Sequence, residues 1–341
     1  MGEFSIIGLD LAKSVFQAHG ADASGAVIFR RKLRRDQVVA FFAKQPACIV
    51  AMEACASAHY WAREIGALGH ETRLIPPAYV KPFVKRQKND MADAEAICEA
   101  AQRPTMRFVA VKSAEAQGAS VVFRTRDLLV RQRTRLINAL RGHMAEFGIV
   151  VRQGAGHVTK LIDFVLDPSS DLPQEGRRIL ALLAQSLRQL QVQIGVLDAE
   201  IAKRAKTNST ARRLMTIPGI GPIGATALVA LAPPAHTFKR GRDFAAWMGL
   251  TPLQHSSGGK ERLGKTTKMG ERSLRRLLIL GASSTVKAAT RKPPAPDSWL
   301  GRMLARKPRM LVIVALANRM ARIVWALMVH GGTYRAPAVA A

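Results

Sequence analysis

Along the chain, the spacing of hydrophobic and polar positions changes character twice. Over roughly the first hundred residues, short apolar runs alternate with segments of helical period. The runs Ser5–Leu9, Ala26–Phe29, Cys48–Met52 and Thr72–Ile75 predict strands, and helices are predicted around residues 36–44, 57–68 and 90–101. Such alternation is the pattern of an α/β domain. Residues 114–146 then read as one long helix. Leu180, Leu183, Leu187, Leu190, Ile194, Leu197 and Ile201 keep 3-4 spacing, the seam of a coiled coil or of an antiparallel hairpin. Ordinary core helices of an all-α middle region explain the same spacing equally well. Gly154, Gly156, Pro168 and Pro173 mark a break between these two helices. From about residue 208 the chain gains Gly and Pro punctuation, then a dense basic segment, and ends in an apolar helix from Met310 to His330. The expected division is 1–112, 113–207 and 208–341.

Charge sharpens this division. The 341 residues hold 52 Lys plus Arg against 24 Asp plus Glu, a formal charge of +28, far more than solubility needs. A polyanionic partner is expected. Residues 1–112 contribute 16 basic and 11 acidic side chains, whereas 113–341 contribute 36 and 13, so the excess lies in the later part. Arg124, Arg126, Arg131, Arg133, Arg135 and Arg141 crowd the long helix, as they would where a helix crosses a phosphate backbone. Lys81, Lys85, Arg86 and Lys88 form a second basic stretch ahead of the helix at 90. The apolar run Met310 to Ala317 meets Asn318 and Arg319 well short of the ~18 residues that a membrane span requires, so no membrane partner is expected. The N-terminus lacks a basic region and cleavage site of secretory type, which points to a cytoplasmic protein, associated with the nucleoid if its polyanion is DNA. Cys48, Cys55 and Cys98 lack C-x-x-C spacing and read as three buried, reduced thiols.

Four acids carry candidate chemistry. Asp10 ends one strand-like run and Glu53 another. If those strands are neighbours, the two carboxylates emerge together at the sheet edge, where a cation between them would offset their repulsion. Asp90 and Asp93, three apart on a predicted helix, share a face and can add oxygens. Oxygen ligands of this kind select Mg²⁺, or Mn²⁺, and can support in-line phosphoryl transfer. Taken one at a time, each acid has a plain alternative as a turn residue, a cap or a solvated charge. Their joint occurrence beside Lys88-Asn89 in so basic a chain favours the metal.

Two glycine-rich segments compete for the second half. Pro218-Gly219-Ile220-Gly221 has the look of the turn in a helix-hairpin-helix, in which Gly219 and Gly221 let backbone N–H groups approach a phosphate; a packing corner between helices fits as well. A dinucleotide fingerprint is excluded because the residues before Gly219 are helical, not a strand. Gly259 to Thr266 matches the P-loop spacing but follows no apolar strand, so the match is fortuitous. Ser256-Ser257-Gly258-Gly259 is flanked by Lys260, Arg262, Lys265 and Lys268 and followed by Arg272, Arg275 and Arg276. A serine among such cations can serve as a nucleophile toward phosphate, and a Ser-Gly turn beside a nucleic-acid-binding patch is the alternative.

These stretches together resemble the insertion-sequence 110 family of transposases, and its 1111 subgroup, over essentially the whole chain. The matching segments are Gly8 to Lys13, Met52 to Cys55, Lys88 to Ala94, Ile217 to Gly221, Gly249 to Pro252 and His255 to Lys260. The resemblance implies a RuvC-like (RNase H-type) α/β domain whose DEDD acids are Asp10, Glu53, Asp90 and Asp93. A helical, coiled-coil middle and a mainly α C-terminal domain with a helix-hairpin-helix-like motif would follow. The resemblance further implies a site-specific recombinase that forms a serine-phosphate link to a cut strand, with Mg²⁺ at the DEDD site. Double-stranded DNA, both element ends and target, would be its substrate, and a structured guide RNA its partner. Dimers would assemble into a tetramer that combines domains of different subunits. The family spacing picks Ser256 as nucleophile, with Ser257 as the alternative, because the serine precedes by about ten residues a segment that here reads Thr266-Thr267-Lys268. A metal-dependent junction nuclease acting by hydrolysis, with the serine loop only binding DNA, is the competing function.

Overall fold

The apolar run Ile6-Ile7-Gly8-Leu9 forms the middle strand of a five-stranded sheet and is buried on both faces. In the computed structural model, which describes residues 5–85 and 89–335, the chain divides into two units, Met1–Gly118 and Ala119–Ala341. The first contains β1 (Ile6–Asp10), β2 (Val15–Ala21), β3 (Val27–Arg34), β4 (Ile49–Glu53) and β5 (Glu71–Ile75) in the order β3-β2-β1-β4-β5. The strands β1, β2 and β3 form an antiparallel meander, while β4 and β5 run parallel to β1. The mixed sheet fits the RuvC-like expectation. The helices α1 (Val38–Phe42) and α2 (Ala58–Ala67) supply the parallel crossovers, and α3 (Pro77–Val80) and α4 (Asp90–Ala101) follow.

The sequence pattern contains no strand at 15–21, yet β2 is there. Its run Val-Phe-Gln-Ala-His-Gly-Ala lacks both clean alternation and β-branched enrichment, and six of its seven residues are buried. Tertiary burial on both sides overrides weak intrinsic preference. One face of the sheet, carrying Ile7, Leu9, Phe16, Val50 and Met52, packs on Phe42, Trp61 and Ile65 of α1 and α2. The other, carrying Ile6, Ala21, Ala51 and Ile75, packs on Ala96, Ile97, Cys98 and Ala101 of α4. Cys48 and Cys98 are buried as expected, but Cys55 is exposed, because it follows β4 on the rim of the sheet where no layer covers it.

The second unit is helical apart from one hairpin. Helix α5 (Ala114–Glu146) crosses the unit boundary. After Gly118 it runs antiparallel to α7 (Gln174–Thr207): Leu140 and Met144 pack with Leu180, Ala184 and Leu187, and further along Arg126 bonds Asp198. Between them α6 (Val158–Leu166) adds Leu161, Ile162 and Val165 to the same cluster. Of the predicted seam, Leu180, Leu187, Ile194 and Ile201 are fully buried, so the helical spacing is used internally. A larger core joins α8 (Ser209–Leu214), α9 (Pro222–Leu231), α10 (Gly241–Trp247), α11 (Arg272–Arg291) and α13 (Arg309–His330). The short α12 (Trp299–Arg306) lies before α13, and β6 (Pro252–Gln254) pairs with β7 (Leu263–Thr266). By length and mean hydropathy of 1.7, α13 would pass as a membrane span, but Val312, Ile313, Ala317, Met320, Ala321 and Val324 bury one of its faces in this core.

Close backbone contact at glycine positions both units. A Cβ on Gly8 would overlap Ala94 O of α4 and approach Cys98 Cβ to 2.8 Å, so α4 lies directly on β1. The substitution Gly8→Ala is expected to push α4 outward and lower stability by about 1–3 kcal/mol, measured by denaturant unfolding, since overpacking of this kind forces backbone shifts. An unchanged midpoint would mean that α4 does not need this contact.

Candidate catalytic site and nucleic-acid contacts

Side chains of a strand alternate between its faces, and this period determines where the acids point. On β1, Ile7 and Leu9 face α1 and α2, so Ile6, Gly8 and Asp10 face α4. On β4, Val50 and Met52 take the first direction, and Ala51 and Glu53 the second. The two strands are parallel with Leu9 opposite Met52, so Asp10 and Glu53 leave adjacent strands at the same edge of the sheet. Asn89 caps α4 by accepting a hydrogen bond from the Ala92 N–H at 2.8 Å, which starts the helix at that edge. Asp90 and Asp93 then stand in its first turn, where the helix dipole favours negative charge.

One carboxylate oxygen each of Asp10, Asp90 and Asp93 lies within 4.8 Å of the others. Glu53 is outside this trio, but its charge acts on Asp10. Partial burial first, and then the charges of Asp93, Asp90 and Glu53, push the Asp10 carboxyl up to about 6. The donor set is all oxygen, with Asp10 and Asp93 half-buried and Asp90 exposed, and it repels itself, which is the arrangement that a hard divalent cation relieves. Three of the predicted acids, Asp10, Asp90 and Asp93, thus cluster, and Glu53 acts on Asp10 from outside the trio. Sequence reasoning passed over Gly8, although an isolated glycine within an apolar strand is a signal of close backbone approach.

Ser256 and Ser257 both lie exposed in the hairpin that joins β6 to β7. At its tip Ser257 and Lys260 pair as a bridge, and Gly258 and Gly259 between them have φ of 56° and 74°. Positive φ at both central positions is the requirement of a type I′ turn, the tight connection that matches strand twist. Ser256 Oγ donates to Gln254 Oε1 at 3.1 Å and accepts from the Arg262 N–H at 3.0 Å. The Ser257 side chain has no hydrogen bond of this kind among the described residues. The Ser-Gly turn is thus the tip of a β-hairpin, and Gly264, Lys265 and Thr266 belong to a strand, so no P-loop forms.

Structure sorts the predicted basic contacts. Lys260, Arg262, Lys265 and Lys268 are exposed on or beside the hairpin, and Arg272 is exposed at the start of α11. Lys268 has φ of 55°, a left-handed conformation rare for a residue with a side chain; its backbone N–H bonds Gly249 O. Arg275 is a correction: it is buried and donates to Met248 O and Met269 O, so it staples two backbone segments and is not free to meet a phosphate. Its charge suggested a surface role because sequence carries no record of burial. Arg124 is exposed on α5, whereas Arg131 pairs with Asp127 on its own helix at 3.1 Å. Lys85 pairs with Glu95, which also meets Arg30. Arg86 and Lys88 lie outside the described residues. Gly219, with φ of 88°, touches Gly281 of α11 through its backbone, and this accounts for it as a packing corner. Gly221 stands at the N-cap of α9 with open space around it.

The raised carboxyl of Asp10 has a measurable consequence. Its folded-state value exceeds the ordinary 3.8, so without metal this one carboxyl contributes stability that is fully present below about pH 4 and is lost as pH rises to about 6. A bound divalent ion demands the ionised form. Affinity for Mn²⁺, followed by calorimetry, is expected to fall by up to about tenfold per pH unit below 6. Asp10→Asn should raise the metal-free melting temperature at pH 8 and abolish the stabilisation by Mn²⁺. A melting temperature that Mn²⁺ raises equally in both proteins would exclude Asp10 from the metal site.

Comparison with known proteins agrees with this geometry. Residues 7–149 match a family profile named for DEDD transposases of the IS110 type and described as "Transposase", and residues 211–296 match "Transposase IS116/IS110/IS902 family". A probable family 20 transposase of Pseudomonas aeruginosa is 48% identical over 97% of this chain and 98% of its own length. The transposase for insertion sequence element IS1111A of Coxiella burnetii is 39% identical over 98% of this chain and 92% of its own. The transposase for element IS1328 of Yersinia enterocolitica is 38% identical over 98% and 99%. A divalent metal at the acids is what the DEDD family implies, and the clustered carboxylates suit it. With both halves matched and relatives aligned from end to end, the chain belongs to the IS110/IS116/IS902 family of insertion-sequence transposases, enzymes that act on DNA by phosphoryl transfer.

Proposed function

We propose that this transposase cuts and rejoins DNA through a covalent phosphoserine link made by Ser256, assisted by Mg²⁺ held at Asp10, Glu53, Asp90 and Asp93. The observation that carries the reading is the posture of Ser256. Its hydroxyl is held at the rim of an exposed, cation-flanked hairpin, with a backbone N–H directed at Oγ. That N–H stabilises the negative charge that grows on Oγ as its proton leaves, and Gln254 Oε1 orients the hydroxyl beforehand. In the step, an Oγ–P bond forms and one bond from phosphorus to a deoxyribose oxygen breaks. The leaving oxygen becomes a hydroxyl, which balances the proton lost by the serine, and the linkage energy is kept for rejoining. Lys260, Arg262 and Lys265 supply charge for the phosphodiester and its neighbours. A divalent ion at the acids would neutralise charge on a reacting phosphate.

The acids belong to one unit and the serine to the other, which suits assembly of a complete site from different subunits of a tetramer. Sequence recognition would rest with a structured guide RNA that pairs with element ends and target, leaving the protein to hold backbones. The formal charge of +28 supports that division of labour.

The test is a denaturing-gel assay with labelled element-end and target DNA, the flanking-region RNA and Mg²⁺. Wild type is expected to form a protein–DNA adduct that Ser257→Ala retains and that Ser256→Ala and Asp90→Ala lose. Cleaved ends that appear without an adduct, indifferent to both serines, would replace this mechanism with hydrolysis.

A further inference from the structure

A groove of about 1310 Å³ opens in the second unit between α10, β7, α12 and α13. Arg240, Arg242, Lys265, Arg319 and Arg322 line it, and among the described residues no carboxylate does. Its remaining surface includes Trp299, Met310, Leu311 and Trp325. The groove is built on the second face of α13, which mixes apolar and cationic side chains. Val312, Met320 and Val324 enter the core, while Leu311, Val314, Asn318 and Arg322, again three and four apart, face the groove. A Cβ on Gly241 would stand 3.1 Å from Arg322 O, so the start of α10 lies close on α13 and brings Arg240 and Arg242 to the same rim. The Arg319 guanidinium lies 4.9 Å from the ring centroid of Trp299. Met310 is 65% exposed and Leu311 49% exposed, although both are large and apolar.

Charge selects the occupant. A second copy of a chain of charge +28 would bring cations against these five cations. A polyanion would not. A DNA duplex presents its phosphates outward and stacks its bases within, so it would use the cations and leave Trp299, Met310 and Leu311 uncovered. An unpaired strand offers phosphates and flat base faces together, and it uses both kinds of lining residue. Lys265 and Thr266 line the groove from β7, the second strand of the hairpin whose loop carries Ser256.

We propose that this groove binds an unpaired nucleic-acid strand next to the serine hairpin. The inference rests on the transposase reading but is tested without cleavage. The full chain would be titrated into labelled oligothymidine, oligouridine and a DNA duplex of equal length, and binding followed by fluorescence anisotropy. Arg240→Glu, Lys265→Glu and Arg322→Glu, all exposed positions, would be combined in one variant. As control, Arg178→Glu, Lys203→Glu and Lys206→Glu would place three reversals on exposed positions of α7. Thermal melts establish that both variants fold.

The groove variant is expected to lose about tenfold or more in affinity for the unpaired strand, with a salt dependence shallower by about 2 in log–log slope, from ~0.7 per phosphate contact. The control should lose less for the unpaired strand than the groove variant does. Trp299→Leu should weaken oligonucleotide binding several-fold and leave duplex binding unchanged, because only stacking is removed. Preference for oligothymidine over oligouridine would assign the groove to DNA, and the reverse to RNA; either supports the site. Equal losses in groove and control variants, or insensitivity to Trp299→Leu, would overturn it. An adduct that still forms in the gel assay while groove binding fails would leave the serine mechanism standing, and a groove that binds while no adduct forms would separate the two in the other direction.

Discussion

The seating of α4 on β1 at Gly8 is the contact on which the acidic centre depends. Without a side chain at that position, helix backbone meets strand backbone, and the helix that begins at the capped Asn89 delivers Asp90 and Asp93 to the edge where Asp10 emerges. The arrangement opposes its own charges. Partial burial, and then the charges of Asp93, Asp90 and Glu53, raise the Asp10 carboxyl to about 6, so the metal-free fold carries a cost that the apolar layers on both faces of the sheet must outweigh. A site that costs stability when empty is suited to gain it from a cation.

The second unit repeats the device with different purpose. Gly219 meets Gly281 backbone to backbone, and Gly249 meets Lys268 and Met269 in the same way, while Gly270 lies against Trp247 O. Arg275 joins these segments by donating to Met248 O and Met269 O. The base of the serine hairpin is therefore anchored by helix ends, glycines and one buried guanidinium, while its tip stands in solvent among cations. Such a division keeps the hydroxyl accessible and its supporting N–H fixed.

The positive charge of the chain does more than attract a polyanion. Arg126 ties α5 to α7 through Asp198, and Arg177 holds the turn before α7 by donating to Pro168 O, Ser170 O and Leu172 O. Arg276 and Arg131 share Asp127. Exposed cations that could meet nucleic acid include those on the hairpin, Arg124 on α5 and those around the groove beside α13.

Local periodicity made much of this legible in the sequence alone. Four of the five strands of the first sheet, the helices that follow them, the acids at two strand ends and the pair on one helix face all follow from spacing, because side-chain direction in a strand or helix is a local property. Motif order identified the family for the same reason. The sequence did not disclose β2, the burial of Arg275 or the exposure of Cys55, and it left Gly219 open between phosphate contact and packing corner; only tertiary structure decided them. Each depends on what a distant segment brings against the residue, and burial has no signature in the residue itself. The groove belongs to this second class: Arg240, Lys265, Trp299 and Arg322 are far apart in the chain, and only the packing of α10, β7, α12 and α13 makes them one surface.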